Sequence, residues 1–367
     1  MKIVTVIGAR PQIIKAAALS RAIRQHFSKE MQEVIVHTGQ HYDDNMSQVF
    51  FDELDIPKPK YNIGVGSESH GVQTARMIEG IEDILLKEKP DCVVLYGDTN
   101  STLAGAIAAS KINVPIVHIE AGLRSFNKAM PEEINRICCD HCSTLLFSPT
   151  AIGYKNLLNE GITTGIYHCG DVMYDNSKYF ANIADKKSQI IDKKRLRGID
   201  YVLCTVHRDN NTDQPERLNA IFKALLKISD SKMVVLPLHP RTSKLLKTNL
   251  QEDLFDNITN NPNIKILPPA SFFDMIVLER HAQMIITDSG GVQKEAYFFQ
   301  KPCLILRSET EWKEIVECGA AVITDADESR IIASFNNFIE NPPHNYPEIF
   351  GDGNAAVFIC KEMLEKF

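Results

Sequence analysis

One stretch, Ala282 to Trp312, restricts the fold of this chain more than any other. Met284 to Thr287 is a short apolar run of strand type. Asp288 and Ser289 follow as helix N-cap residues, and Gly290-Gly291 permits a close turn before a helix predicted from Val292 to Phe299. Pro302 ends that helix, and Cys303 to Leu306 supplies a second buried strand. The result is a βαβ unit whose helix N-terminus, with free N–H groups and the positive end of the dipole, favours an anion such as a diphosphate. Glu295 lies about one helical turn further on, where a carboxylate can take the two hydroxyls of a ribose, and Arg307 leaves the next strand. A Ser-Gly-Gly turn alone is an ordinary capped βα turn. The turn, carboxylate and arginine together point to a nucleotide.

With 367 residues, the chain is long for one core, so two domains are expected. A net charge of -7 without a basic run argues against nucleic acid as the main partner. No apolar stretch approaches the roughly 20 residues that a membrane helix needs. The sequence enters a strand at once, without a signal-peptide pattern. Nine cysteines, several inside apolar runs (Cys92, Cys204, Cys303), suggest reduced core thiols and a cytoplasmic setting. Cys138, Cys139 and Cys142, with His141 between them, superficially resemble a metal cluster. They sit on a helix-like segment without a second ligand pair at zinc spacing, so a structural role is expected and no metal.

Lys2 to Ile7 is an apolar strand, followed by the loop Gly8-Ala9-Arg10-Pro11 and a helix over Gln12 to His26. Arg10 and Lys15 thus lie at the C-terminal edge of the first strand, where open α/β sheets bind ligands. Cations at a helix start are unfavourable unless an anion compensates. Glu33 to Thr38 is the next strand; Asp44 to Leu54 has a helical pattern; Tyr61 to His70 is a loop; Gly71 to Lys87 is a helix. Cys92 to Tyr96 is a buried strand ending in Gly97-Asp98-Thr99-Asn100, and Pro115 to Ile119 another, ending in Glu120-Ala121-Gly122. Asp98 and Glu120 therefore emerge at the same edge as Arg10, from three different strands. Such convergence is the arrangement of a site. Met130-Pro131-Glu132-Glu133-Ile134-Asn135-Arg136 opens a further helix, and its acidic pair also suits a first turn, so Glu132 alone is ambiguous. Strands at Leu145 to Ser148 and Ile166 to Cys169 complete this half.

From Met173 the chain crosses to a second set of strands: Tyr201 to Val206, Met233 to Leu238, Ile264 to Leu267, and then the opening βαβ unit. His207 and His239 sit at strand ends there, each followed closely by an arginine. Asn341-Pro342-Pro343 interrupts a helix that follows the βαβ unit, and Gly351-Asp352-Gly353-Asn354 introduces a last one. The expected organisation is an N-terminal Rossmann-like domain over 1–172, a nucleotide-binding Rossmann-like domain over 173–350, and a C-terminal helix over 351–367 that packs back on the first.

Six strings occur in order: Val-Ile-Gly-Ala-Arg-Pro-Gln, Gly-Asp-Thr-Asn-Ser-Thr, His-Ile-Glu-Ala-Gly-Leu-Arg, Met-Pro-Glu-Glu-Ile-Asn-Arg, Thr-Asp-Ser-Gly-Gly-Val-Gln-Lys-Glu and Arg-Ser-Glu-Thr-Glu-Trp. Together they resemble the non-hydrolysing UDP-N-acetylglucosamine 2-epimerases across nearly the whole chain. The resemblance implies an α/β chain of GT-B fold, with two Rossmann-like domains facing an interdomain cleft that holds a UDP-sugar. It also implies a cytoplasmic homodimer and no cofactor; no Gly-x-Gly-x-x-Gly turn follows any strand, in keeping with the absence of NAD.

Carried over by position, the resemblance assigns Asp98, Glu120, Glu132 and His207 to catalysis. It assigns Arg10, Lys15, Ser289, Gly290, Gly291, Glu295 and Arg307 to substrate binding. The family reaction eliminates UDP from C1 as a proton leaves C2, giving a 2-acetamidoglucal, and re-adds UDP with a proton on the other face. Which carboxylate serves which face stays open. Ala9, Trp312 and the loop Gly64 to Gly71 depart from the common pattern and resemble the subgroup acting on UDP-2,3-diacetamido-2,3-dideoxyglucuronate. Alternatives are a hydrolysing 2-epimerase, a GT-B glycosyltransferase, or a UDP-sugar sensor without turnover.

Overall fold

A computed structural model describes residues 1–39, 56–66 and 68–367. The helix expected over Asp44 to Leu54, together with Gln40, His41 and Ser67, lies outside the described residues. The chain divides into two compact units, Met1–Asn176 with Glu348–Phe367, and Ser177–Pro347.

The first unit is built on a seven-stranded sheet. Its strands are β1 (Lys2–Ile7), β2 (Gln32–His37), β3 (Tyr61–Asn62), β4 (Cys92–Tyr96), β5 (Ile116–Ile119), β6 (Leu145–Ser148) and β7 (Ile166–His168). The order is β3-β2-β1-β4-β5-β6-β7, with every pair parallel. Helices cover both faces of such a sheet, which explains why Cys92 to Tyr96 is an unbroken buried run rather than an alternating one. The order reverses between β1 and β4, the point beyond whose C-terminal strand ends open α/β sheets bind ligands. The closing helix Ala355–Lys366 belongs to this unit: the Asp175 carboxylate accepts the N–H groups of Ala355 (3.1 Å) and Ala356 (2.8 Å) at its first turn.

The second unit holds a six-stranded parallel sheet. Its strands are β8 (Tyr201–Thr205), β9 (Met233–Pro237), β10 (Ile264–Leu267), β11 (Met284–Thr287), β12 (Cys303–Ile305) and β13 (Ala321–Ile323). The order β10-β9-β8-β11-β12-β13 reverses between β8 and β11. Val202, Cys204, Leu218, Phe222, Leu236, Ile286, Leu304 and Phe335 form one continuous core on one face.

The differences from the sequence reading are short elements. Helix Arg10–His26 starts at Arg10, because the Gln12 side chain accepts the N–H groups of Gly8 (2.8 Å) and Ala9 (3.1 Å) ahead of it. Tyr61 and Asn62 form a strand where a loop was expected, through pairing with Val36 and His37. Three-residue β13 is likewise specified by its neighbour β12 and not by any local period. No helix among the described residues is long and apolar enough to cross a membrane.

Candidate active site

In the first unit Lys15, Glu120 and the turn carrying Asp98 come together where the strand order reverses. Gly8 leaves β1 against β4's following helix so closely that a Cβ there would lie 2.1 Å from both Ser101 Oγ and Thr38 Oγ1. Gln12, buried in the next turn, donates to the Tyr96 carbonyl (3.0 Å) and Thr102 Oγ1 (3.0 Å) and so locks the loops after β1 and β4 together. Arg10 is exposed at the helix start.

Lys15 and Glu120 form an ion pair with both side chains largely buried. Glu120 has φ 75°, in the left-handed region that a residue with a Cβ rarely occupies. Such strain costs on the order of 1–3 kcal/mol and persists where the surroundings over-determine it. The pair lies against Gly97 (φ +60°), where a Cβ would sit 2.9 Å from Lys15 Nζ and 3.2 Å from Glu120 Oε2. Only glycine fits. Glu120 compensates Lys15 here, so the position of this cation at a helix start does not by itself require a bound anion.

Asp98 follows Gly97, and its Oδ2 receives Arg136 Nη2 at 2.5 Å. Arg136 also bonds Glu133 (3.0 Å), whose carboxylate accepts the N–H groups of Ser125 (2.9 Å) and Phe126 (2.8 Å). These bonds hold the Glu133 carboxyl below its ordinary range, against the burial that pushes it up. Of the acidic pair, Glu133 is thus structural, whereas Glu132 is half-buried on the first turn of helix Pro131–Cys142. Asn135 donates to the Asp98 carbonyl (2.8 Å). Arg136 and Asn135 were not singled out from sequence, although the Glu-x-x-Arg spacing of Glu133 and Arg136 is a helical pair.

The second unit repeats the logic. Its order reverses between β8, which delivers His207, and β11, which delivers Asp288 and Ser289. Ser289 caps helix Gly290–Phe298 by accepting Val292 N–H (3.4 Å). The fully buried Asp288 carboxylate accepts His207 N–H (3.1 Å), Arg208 N–H (3.0 Å) and Asn211 Nδ2 (3.1 Å). Burial holds the His207 imidazole below its ordinary pKa, Asp288 opposes this, and Arg208 and His239 add to it. Arg307 lies beside Gly290 and is held by a bidentate bond to Glu311 (2.9 and 3.0 Å). Trp312 donates its indole N–H to the Gly290 carbonyl (3.1 Å), and Lys294 Nζ sits 4.2 Å from the indole centre. Glu295 is half-buried on the same helix. Asp288, read from sequence as an N-cap residue, instead holds the turn after β8, and Ser289 is the cap; the Glu311 contact was left unassigned.

A profile of the family described as UDP-N-acetylglucosamine 2-epimerase matches residues 22–364. The chain belongs to the UDP-N-acetylglucosamine 2-epimerase family. It is 50% identical to a Methanococcus maripaludis UDP-N-acetylglucosamine 2-epimerase homolog, over 98% of this chain and 99% of that one. It is 46% identical to the UDP-2,3-diacetamido-2,3-dideoxy-D-glucuronate 2-epimerase of Pseudomonas aeruginosa, over the full length of both. The crystal structure of Methanocaldococcus jannaschii UDP-GlcNAc 2-epimerase in complex with UDP-GlcNAc and UDP is similar with TM-score 0.88 and 41% identity, again over both full chains. Two parallel α/β sheets in a GT-B-like arrangement are therefore the fold of this 2-epimerase family member. In this 2-epimerase chain Cys139 is buried in the core, Cys142 is half-buried against it, and all nine cysteines are free thiols.

Proposed function

We propose that this chain inverts C2 of a UDP-linked N-acetylated amino sugar without hydrolysing it, taking UDP-GlcNAc to UDP-ManNAc. The observation that carries this reading is the strained Glu120 in contact with Lys15, beside the loop of Asp98, at the point where the first sheet reverses its strand order. In the proposed reaction a base takes the C2 proton while the C1–O bond breaks and its electron pair leaves with UDP, giving a 2-acetamidoglucal. UDP then returns to C1 as a proton is delivered to the opposite face of C2. Asp98, Glu120 and Glu132 supply acid–base and electrostatic groups to the sugar. His207 serves the leaving diphosphate as a hydrogen-bond or proton donor. Ser289, Gly290 and Gly291 present the helix N-terminus to the diphosphate, with Arg10, Lys15 and Arg307 as cations and Glu295 on the ribose. Lys15 is exchanged between Glu120 and substrate in this scheme.

Identity to the Pseudomonas aeruginosa diacetamido-glucuronate enzyme favours a second substrate, and Trp312 bonded to Gly290 is the departure that accompanies it. Proton NMR of each UDP-sugar with the protein in deuterated water is the test. Deuterium should enter C2 without added cofactor. Product that keeps its original C2 hydrogen would sink the elimination, and free UDP accumulating with free sugar would indicate a hydrolase. We further infer a homodimer, which light scattering of the purified protein reads directly, and a cytoplasmic setting, since the free thiols suit a reducing compartment.

A further inference from the structure

We propose that His118 is a positioning residue: a buried imidazolium that, through Gly97 and Asp140, fixes the two loops carrying Asp98 and Glu120. His118 lies on β5, two positions before Glu120, and is fully buried. Its Nε2 is 2.8 Å from the Gly97 carbonyl, and its Nδ1 is 2.7 Å from Asp140 Oδ1. A carbonyl only accepts, so Nε2 carries a proton. Asp140 Oδ2 accepts Gly122 N–H (3.1 Å) and pairs with Arg124 Nη2 (2.7 Å), the environment of an ionised carboxylate, so Nδ1 carries a proton as well. A neutral ring would turn a lone pair on one of these acceptors. Both partners thus require the charged form.

The charge is balanced inside the protein. Arg124 continues from Asp140 to a bidentate bond with Glu160 (2.7 Å each), giving the alternating series His118, Asp140, Arg124, Glu160. His141 approaches Glu160 at 3.4 Å from the half-exposed side, and Cys139 is the remaining titratable neighbour of the ring. Burial opposes the imidazolium; Cys139 and the Asp140 carboxylate favour it and prevail, so its pKa stands well above the ordinary histidine value. A buried ion series is weak evidence for stability, because an apolar replacement often serves as well. Its geometric effect is specific: the ring holds the carbonyl just before Asp98, and Asp140 holds the amide two residues after Glu120. No apolar side chain can bridge those two loop ends.

The catalytic consequence rests on the 2-epimerase reading, whereas the charge state does not. Histidine-labelled nitrogen NMR of the intact protein tests the charge. One ring, identified by its loss in His118→Gln or by its loss of a proton in Asp140→Asn, should keep both N–H groups from about pH 6 to about pH 9. A single ring proton, or titration near the ordinary value, would overturn the assignment. For positioning, His118→Gln keeps one of the two bonds and Asp140→Asn keeps the shape without the charge. Each should lower kcat about 10- to 100-fold, the scale of a misplaced reacting group, with KM and UDP affinity within about threefold of the parent. Unchanged kcat in both folded variants, or a matching loss of UDP affinity, would reduce His118 to a core histidine. If the parent turns over no UDP-amino sugar, the functional reading fails, and the NMR result still decides the imidazolium.

Discussion

The buried carboxylate of Asp288 accepts the backbone N–H of His207 at 3.1 Å, yet lies 3.8 Å from the His207 ring nitrogen Nε2. The first is a hydrogen bond and the second is not. Asp288 therefore sets where the turn after β8 runs without hydrogen-bonding the imidazole. Replacing it by asparagine keeps one acceptor and turns an amide N–H₂ towards N–H donors. Asp288→Asn should cost about 1–3 kcal/mol, read from urea unfolding, and should weaken UDP binding in calorimetry. Bound diphosphate should in turn raise the depressed His207 pKa, since it adds negative charge beside a ring that burial, Arg208 and His239 hold down. A His207 signal that titrates identically with and without UDP would remove it from the diphosphate.

Asp98 and Glu120 are both engaged by cations in the same sheet edge, Arg136 at 2.5 Å and Lys15 respectively. Asp98→Asn and Glu120→Gln preserve shape and remove charge. Each should lower kcat by roughly 100-fold or more, the scale of a positioned acid–base or electrostatic group, while UDP affinity survives. Gly97→Ala is a sterically opposite probe: its methyl would meet Lys15 Nζ at 2.9 Å and Glu120 Oε2 at 3.2 Å, so kcat should fall without any charge being altered. Near-normal turnover in all three variants would move catalysis elsewhere.

The apolar strand runs and the turns that follow them were legible in the sequence, because parallel strands buried on both faces leave continuous hydrophobic runs. Lys2–Ile7, Cys92–Tyr96 and Met284–Thr287 are such runs, and each delivers an expected residue at its C-terminal end. Short β3 and β13 were illegible, since a two- or three-residue strand is defined by its partner alone. The same holds for side-chain partners distant in sequence. Nothing local to Asp98 announces Arg136, and His118 reads as a lone histidine in an apolar strand until Gly97 and Asp140 are seen around it. Arg307 and Glu311 are separated by only four positions, but no regular element there gives that spacing a meaning.

The closing helix offers a pH-dependent contact. Burial raises Asp175 from the ordinary 3.8 to about 6, although the Ala355 and Ala356 N–H groups it caps pull the other way, Asp171 adds to the rise, and Arg21 opposes it. The folded state therefore binds its proton more tightly than the unfolded chain. For a raised carboxyl, the stabilising contribution is complete below about pH 4 and is lost as pH rises through about 6. The corresponding free energy is roughly 3 kcal/mol. Unfolding free energies of the parent and Asp175→Asn, measured from about pH 4 to about pH 7, should differ by an amount that shifts against the parent as pH rises. A pH-independent difference would show that Asp175 keeps an ordinary pKa.

Kinetic order depends on the loop from Gly64 to Gly71 and the charges beside it. That loop departs from the family pattern and no arginine occurs between Gln40 and Gln73, so this stretch offers no arginine to a second, activating UDP-sugar. The Glu68 carboxylate in that loop would by itself repel a diphosphate. In the structure Arg76 pairs with it at 3.0 Å, with both side chains exposed, so that repulsion is offset and Arg76 is already engaged. Exposed pairs contribute little, about 0–1 kcal/mol, and a diphosphate would have to break this one to use the arginine. Initial rates against UDP-GlcNAc should therefore be hyperbolic, with a Hill coefficient of about one, and the diacetamido uronate relative should turn over without UDP-GlcNAc present. A sigmoidal curve that becomes hyperbolic in Arg76→Ala would show that Arg76 leaves Glu68 to hold a second nucleotide. A sigmoidal curve unchanged in that variant would place the activating site away from this loop, and clear preference for UDP-GlcNAc would count against the uronate as substrate.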